Sequence, residues 1–441
     1  MLESLADRAA FLAQDVWNLF VQHFGHREWW QWFLFFMPFY VFGEFPRYVL
    51  PAMVLGIRRA FRLDRDDEEA KRRFLEERPA VSVLLVGYNE EASVANAIRS
   101  LLELGWPGIE IIVVDDGSTD RMYEEARPFA EAGKIKLFRN TAATGRGGRP
   151  AASNLALHMA TGRFILSVDA DTSFDRDALE HMIGPFYDPR VGCVAGNLKV
   201  RNVRDSLWTR MQAMEYLLSI GLWKRWLNLL GMNMQASGAF GAFRRETLEA
   251  VGAWDSELAE DADLSLKIKK AGWKIVFAPR AIALTSVPVS RTAFTAQRHR
   301  WDKGTLRTYI HKHGDILRFW RYDWRNAFEV AMTYFFEVFM TFLYAIWLGI
   351  MLWNWAILLP FIFAITYVLY AGTTFMMMLV ALAASERRSR ERFLLLWVPL
   401  FAIYKGYSRW VRFFALTLEY LRINYEEYYL PASAWRNAPK W

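Results

Sequence analysis

Asp169 and Asp171 stand one residue apart at the end of the apolar run Phe164 to Val168. Side chains in extended backbone repeat every second residue, so a buried strand ending here delivers both carboxylates to one side. Such a pair can hold Mg²⁺ or Mn²⁺, which prefer oxygen ligands and commonly bridge one or two protein carboxylates to substrate phosphates. A nucleotide diphosphate is then the natural third party. The other reading of Asp-x-Asp is a helix start. Two further apolar runs end in chemistry: Tyr88-Asn89-Glu90 follows the first, and Asp115-Asp116-Gly117-Ser118-Thr119-Asp120 the second. An aromatic ring beside an acceptor carboxylate suits a uracil, with the ring stacking on the base and the carboxylate accepting the imide proton. Helix capping by Asn89 or Asp120 accounts for some of the same residues.

These ends need elements to carry them. Val81 to Gly87, Ile109 to Asp115, Lys134 to Phe138, Phe164 to Val168 and Val191 to Ala195 read as short buried strands. Ala92 to Leu104, Arg121 to Ala132 and Arg149 to Ala160 have helical spacing. The alternation predicts an α/β domain with a parallel, doubly wound sheet and its sites at the strand carboxyl ends. Trp208 to Leu230 mixes aromatic rings with Arg210, Lys224 and Arg225, as an interfacial helix does, or else is an ordinary core helix.

Composition sets the surroundings. The chain of 441 residues is 54% hydrophobic and 16% aromatic, rich for a protein wholly in water. Lys and Arg number 54 against 47 acids, net +7. The excess crowds at Arg58 to Arg73 and at Arg387 to Arg392, beside apolar segments, which is the pattern of inner-leaflet loops rather than of nucleic-acid binding. The single Cys193 excludes an internal disulfide and a Cys-based zinc cluster, and fits a cytoplasmic catalytic face. Leu5 to Phe24 reads as an amphipathic helix, not a cleavable leader. Trp29 to Ile57 is long enough to span a bilayer, interrupted by Glu44, Pro46 and Arg47; the two charges pair with each other or line a conduit. Ala327 to Trp353 and Trp355 to Leu382 read as spans, and Phe393 to Leu421 as a third, broken segment. Glu329 and Glu337 share a helix face and line a channel with Tyr334, or pair with Arg47 or Arg409. The expected division is membrane helices in 1–75, a cytoplasmic catalytic domain in 76–322, and membrane helices and a tail in 323–441.

In order and spacing, Val-Gly-Tyr88-Asn89-Glu90, Val-Asp115-Asp116-Gly-Ser-Thr-Asp120, Asp169-Ala-Asp171, Glu260-Asp261 and Gln297-Arg298-His299-Arg300-Trp301 resemble the family 2 glycosyltransferases. The last motif is similar to the Gln-x-x-Arg-Trp signature of the processive, membrane-embedded members. The resemblance covers Ala80 to Arg318 and implies a GT-A fold, a nucleotide-sugar donor and a divalent cofactor, Mg²⁺ or Mn²⁺. By position it implies that Tyr88, Glu90 and Asp116 hold the uracil, that Asp169 orients the sugar or ribose, and that Asp171 with Asp169 forms the metal site. Arg149 stands where the family usually has lysine, near the diphosphate; the preceding Gly145-Arg146-Gly147-Gly148 is a flexible loop or part of that contact. Ser237 and Gly238 border the acceptor pocket. Ala259 replaces a usual threonine, while Glu260 and Asp261 remain.

An inverting transfer needs a carboxylate to take the acceptor hydroxyl's proton, and the resemblance assigns Asp261 that role beside Glu260. The alternative is that Glu260, Asp261 and Asp263 charge the first turn of a helix. Gln297, Arg300 and Trp301 share a helix face; Gln297 and Arg300 face the donor diphosphate and Trp301 the acceptor's terminal sugar. Val191 to Asn197 and Gln212 to Tyr216 look like the poly-N-acetylglucosamine, chitooligosaccharide and hyaluronan synthases. The expected activity is therefore processive polymerisation of a β-linked polysaccharide from a UDP-sugar, UDP-N-acetylglucosamine first, coupled to translocation at the inner membrane. Expected partners are the growing polysaccharide, the bilayer and a small accessory membrane subunit. A hyaluronan- or glucan-type synthase, or a non-processive polyprenyl-phosphate glycosyltransferase, stays open.

Overall fold

The computed structural model describes residues 39–61, 68–140, 147–233 and 235–421, with isolated positions between 11 and 28. Of the expected helix Leu5 to Phe24, the described positions Phe11, Gln14, Asp15, Trp17, Asn18, Val21 and Gln22 are helical. The rest of it, the first part of Trp29 to Ile57, the loop residues Gly145 and Arg146 and the carboxyl-terminal tail lie outside the described residues.

Among the described residues, one eight-stranded sheet organises the segment 81–285, in the order β3-β2-β1-β4-β7-β6-β8-β5. Its strands are β1 (Val81–Gly87), β2 (Glu110–Asp115), β3 (Lys136–Arg139), β4 (Phe164–Asp169), β5 (Ser173–Phe174), β6 (Val191–Val200), β7 (Phe240–Arg244) and β8 (Lys274–Thr285). Strands β3, β2, β1 and β4 are mutually parallel. Alternate side chains bury on opposite faces: Val83, Leu85, Val113, Leu166 and Val168 enter one core cluster, and Leu84, Val86, Ile112, Val114 and Ile165 the other. Both faces are covered, so these strands read as continuous apolar runs rather than alternating ones.

The register decides where chemistry emerges. Gly87 pairs with Asp115, and Val86 with Asp169, so β1, β2 and β4 end level at one edge. That edge lies where the strand order reverses, between β1 and β4.

The sheet is mostly parallel, as expected, with two strands reversed. β7 runs antiparallel between β4 and β6, and β5 antiparallel to β8. Because β7 runs backwards, its first residue, Phe240, pairs with Val168, and the preceding Ser237 and Gly238 arrive beside the end of β4. β8 was unread because Pro279, which cannot donate to a ladder, interrupts its pattern. Between the pairs Ala195/Phe277 and Asn197/Ile282 the β6–β8 register shifts, and Asn197 Nδ2 donates to Pro279 O at 2.7 Å.

Two described helical runs, Trp324–Asn354 of 31 residues and Leu359–Ala384 of 26, are long and apolar enough to cross a membrane. The shorter is about 39 Å long at 1.5 Å per residue, against a hydrocarbon core of about 30 Å. Large apolar side chains on both stay uncovered, including Trp353 at 89% and Val368 at 68% exposure. The helix Val398–Tyr420 carries Lys405, Arg409, Arg412 and Glu419 and does not meet the same standard. Arg47 pairs with Glu337 rather than Glu44; Glu337 also takes Arg412, and Glu44 lies 3.8 Å from Arg409. The turn after Ala384 returns to the sheet: Lys199 Nζ meets Glu391 at 2.9 Å, Arg225 pairs with Glu386, and Arg387 with Asp175. The two apolar helices therefore leave the sheet-bearing segment and come back to it.

Glu110, at the start of β2, ties three segments together. Burial pushes its carboxyl up, but hydrogen bonds from Lys136, Ser82 and the Thr161 N–H outweigh that and bring it to about 2. A carboxyl held below its unfolded value stabilises the fold above that value, and the contribution is lost as pH falls towards the folded one. Glu110→Gln should therefore lower stability at neutral pH and flatten the loss of stability between pH 4 and pH 2, read by denaturant unfolding across that range.

Candidate active site

Residues from widely separated stretches of the chain line one cleft of about 550 Å³ at the level edge of β1, β2 and β4. Tyr88, Glu90, Asp116, Arg149, Asp169 and Asp171 line it from the ends of β1, β2 and β4 and the start of the helix Gly148–Met159. Ser237, Gly238, Glu260, Asp261, Gln297, Arg300 and Trp301 close it opposite. Every candidate site residue is thus on this cleft, whose volume suits a nucleotide-sized ligand. A second groove, of about 690 Å³ along Glu68–Glu76, contains none of them.

On the β1 and β2 side, Asn89 adopts a left-handed backbone (φ 58°). Its N–H donates to Ser118 Oγ and its Oδ1 accepts from Thr119 N, both at 2.9 Å. Asn89 therefore locks two loops together instead of capping a helix. Asp120 does serve a helix start, accepting from Met122 N at 3.0 Å. Asp116, 2% exposed, accepts from Asn140 Nδ2 at 2.7 Å and Gly147 N at 3.2 Å.

The carboxylates crowd one another. Burial, and then Asp169, push the Asp171 carboxyl up. Burial pushes Glu90 up against the opposing Ser93 hydrogen bond, with Asp171 and Asp169 adding to the rise. Thr285 Oγ1, at the end of β8, lies 3.3 and 3.4 Å from the two oxygens of Asp171, and Arg201 donates to Asp171 O at 2.7 Å. Carboxylates raised by burial and by one another in this way concentrate negative charge at Asp171 and Glu90, which suits a hard divalent ion. Among the described residues no set of three or more His, Cys, Asp or Glu forms a protein-only metal site. Two carboxylates suit Mg²⁺ or Mn²⁺, which also take water and phosphate oxygens.

The opposite wall is built on a helix start. Asp261, in the first turn of the helix Glu260–Lys270, accepts from Ala262 N at 2.8 Å and Gly238 N at 3.1 Å. Burial pushes the neighbouring Glu260 up, with Arg149 opposing it. Acids in this turn also suit the helix dipole, in line with the reading of the segment as a helix start. Gly304 of the helix Arg291–Leu306 packs so closely that an added Cβ would lie 2.9 Å from Ala259 Cβ. Alanine at 259 thus lets the helix bearing Gln297, Arg300 and Trp301 lie against the acid turn. Arg300 Nη1 donates to Leu258 O at 3.5 Å, and Gln297 Oε1 is buried without a hydrogen-bond partner.

Some lining residues escaped sequence reasoning. Lys224, read only as an interfacial cation, donates to Gln235 O at 3.1 Å in the cleft wall. Burial brings its ammonium down to about 8, with Asp261 opposing. Arg298, a variable position of the Gln-x-x-Arg-Trp motif, forms a two-point pair with Glu215 at 2.7 and 2.9 Å and sits 4.6 Å from the Trp301 ring centroid. Tyr404, on the helix Val398–Tyr420, donates to the same Glu215. That charged pairing across 83 residues has no local signature in sequence. Arg298 is only 7% exposed, and stranding a buried cation costs about 3–5 kcal/mol, whereas replacing both partners by apolar residues is often nearly neutral. Glu215→Leu should therefore sharply lower the unfolding midpoint in detergent, and Glu215→Leu with Arg298→Met should recover most of it.

Comparisons with known proteins follow the same lines. The glycosyl transferase family 2 model matches residues 82–252. Poly-β-1,6-N-acetyl-D-glucosamine synthase of Staphylococcus epidermidis is 34% identical over 226 residues, 51% of this chain and 54% of that protein. The protein of the same name in Staphylococcus aureus strain COL is 32% identical over 235 residues, 52% of this chain and 55% of that one. The chain spans about half the length of these relatives. A mannosyltransferase from Pyrobaculum calidifontis, solved with GDP-Man and Mn²⁺, superposes with a TM-score of 0.53 at 20% identity, over 85% of this chain and 96% of that one. That likeness concerns the fold alone. Level parallel strands ending in acids, a backward strand beside them and the matched segment lead to one conclusion: residues 82–252 match the glycosyl transferase family 2 model, on a GT-A fold.

Proposed function

We propose that the protein is an inverting, processive glycosyltransferase of the cytoplasmic membrane. It extends a β-linked polysaccharide from a UDP-sugar, UDP-N-acetylglucosamine first, and passes the product into the bilayer. The observation carrying this reading is the shared cleft, in which Asp169 and Asp171 face Asp261, Arg300 and Trp301. The relatives named for an N-acetylglucosamine polymer support the choice of sugar. Two helices long and apolar enough to cross a membrane accord with placing the protein at a membrane.

Tyr88 stacks on the base while Glu90 and Asp116 accept from its polar edge. Asp169 orients the sugar or ribose. Asp171 and Asp169 would hold Mg²⁺ or Mn²⁺, which when bound neutralises the donor diphosphate as a Lewis acid. Asp261, aimed by two backbone N–H groups, removes the acceptor hydroxyl's proton. The hydroxyl oxygen then bonds to the anomeric carbon from the face opposite the diphosphate, and the bond from that carbon to the diphosphate oxygen breaks, its electron pair leaving with UDP. Arg300 stabilises the charge gathering on the departing group, assisted by Gln297. Trp301, beside Ser237 and Gly238, seats the terminal sugar of the growing chain. A small accessory membrane subunit remains part of the proposal.

Purified protein given radiolabelled UDP-N-acetylglucosamine and Mg²⁺ should make polymer; a sugar-lipid or no product refutes the reading. Asp261→Asn should lower turnover about 10²- to 10⁴-fold, the range for losing a general base, while UDP binding by calorimetry stays near the parent's. Asp171→Ala should bind UDP equally with Mg²⁺ and with chelator, where the parent binds more tightly with Mg²⁺.

A further inference from the structure

Arg149 does not extend towards the cleft as a lone cation. Its Nε and Nη2 donate to Asp169 Oδ1 at 2.9 and 2.6 Å, its Nη1 donates to Glu260 Oε1 at 2.9 Å, and Nη2 also reaches Gly238 O. Asp169 ends β4 on the donor side, and Glu260 opens the helix that carries Asp261. Gly238 belongs to the approach to β7 and donates its own N–H to Asp261 Oδ2 at 3.1 Å. One guanidinium thus joins three segments that share no strand pairing at that point. The fit is close: a Cβ on Gly238 would stand 2.7 Å from Arg149 Nη1.

We propose that Arg149 is a positioning residue that fixes the base-bearing wall of the cleft in register with the donor-binding carboxylates, rather than a ligand of the diphosphate. This rests on the functional reading above and refines it.

The chemistry of the side chain favours this role. A guanidinium presents five N–H donors in a rigid planar fork and can serve three acceptors in fixed directions at once. A lysine ammonium at this position keeps the charge on a flexible stem and holds no such plane. Its pairs are also poorly screened, since the Arg149 and Glu260 side chains are only 13% and 11% exposed. Losing the fork would let the Glu260–Asp261 turn shift against Asp169. A displacement of about 1 Å between reacting groups costs about 10²-fold in rate.

The test separates positioning from phosphate binding. Arg149→Lys and Arg149→Gln should each lower kcat about 10²-fold and leave the donor KM and the calorimetric affinity for UDP with Mg²⁺ within about threefold, the pattern of an interaction that matters only in the transition state. In a cycle with Glu260→Gln, the double variant should lose much less than the product of the two single losses, because both break one linkage. The proposal is overturned if Arg149→Lys retains parental turnover while Arg149→Gln weakens UDP binding tenfold or more. It is equally overturned if the cycle is multiplicative. The parent's own ability to make polymer tests the functional reading. The UDP affinity of the variants tests Arg149 without any turnover, so the two ideas fail separately.

Discussion

Carboxylates gathered in a half-buried cleft repel one another, and the arrangement around this cleft answers that repulsion. Glu90, Asp169, Asp171, Glu260 and Asp261 all line it, and burial raises Glu90, Asp171 and Glu260. The cations are distributed to match. Arg149 bridges the two acidic walls, Arg201 secures the backbone at Asp171, and Lys224 stands near Asp261. The raised carboxyls mark where charge is left unbalanced, and under the proposed function that is where a metal-bound diphosphate would sit.

The sheet serves this balance by geometry alone. Parallel pairing of β1 with β2 and β4 sets three chain ends level, and the antiparallel β7 brings Ser237 and Gly238 against them. Neither arrangement is costly, because the strands concerned are sealed on both faces. The polar ends emerge where the apolar runs stop.

How much of this was legible follows from what each residue does. β1, β2 and β4 could be read because an apolar run closing on acids is a local pattern, and their boundaries fall within a residue or so of expectation. β7 was missed because Gly241 and Ala242 make it resemble a close backbone approach, and β8 because Pro279 conceals a strand that shifts register around it. The cleft's members were legible from their order and spacing, but their mutual contacts were not. Arg149 meets partners 20 and 111 residues away, and no periodicity encodes a distance of that kind. For Glu337, the pairing with Arg47 was among the sequence alternatives, whereas its second partner, Arg412, was not.

The helices beside the cleft and the apolar helices share one core. Met211, Met214, Leu218 and Phe294 pack in the same cluster as Met377, Met378, Val398 and Phe401. Lys199, 4% exposed in β6, finds its carboxylate on the far side of an apolar hairpin, at Glu391. Enzymology on an excised water-soluble fragment is therefore ruled out by construction: the cut would strip half of a common interior and orphan a sunken ammonium. A graft between related chains faces the same requirement, and the two halves must be exchanged as one piece.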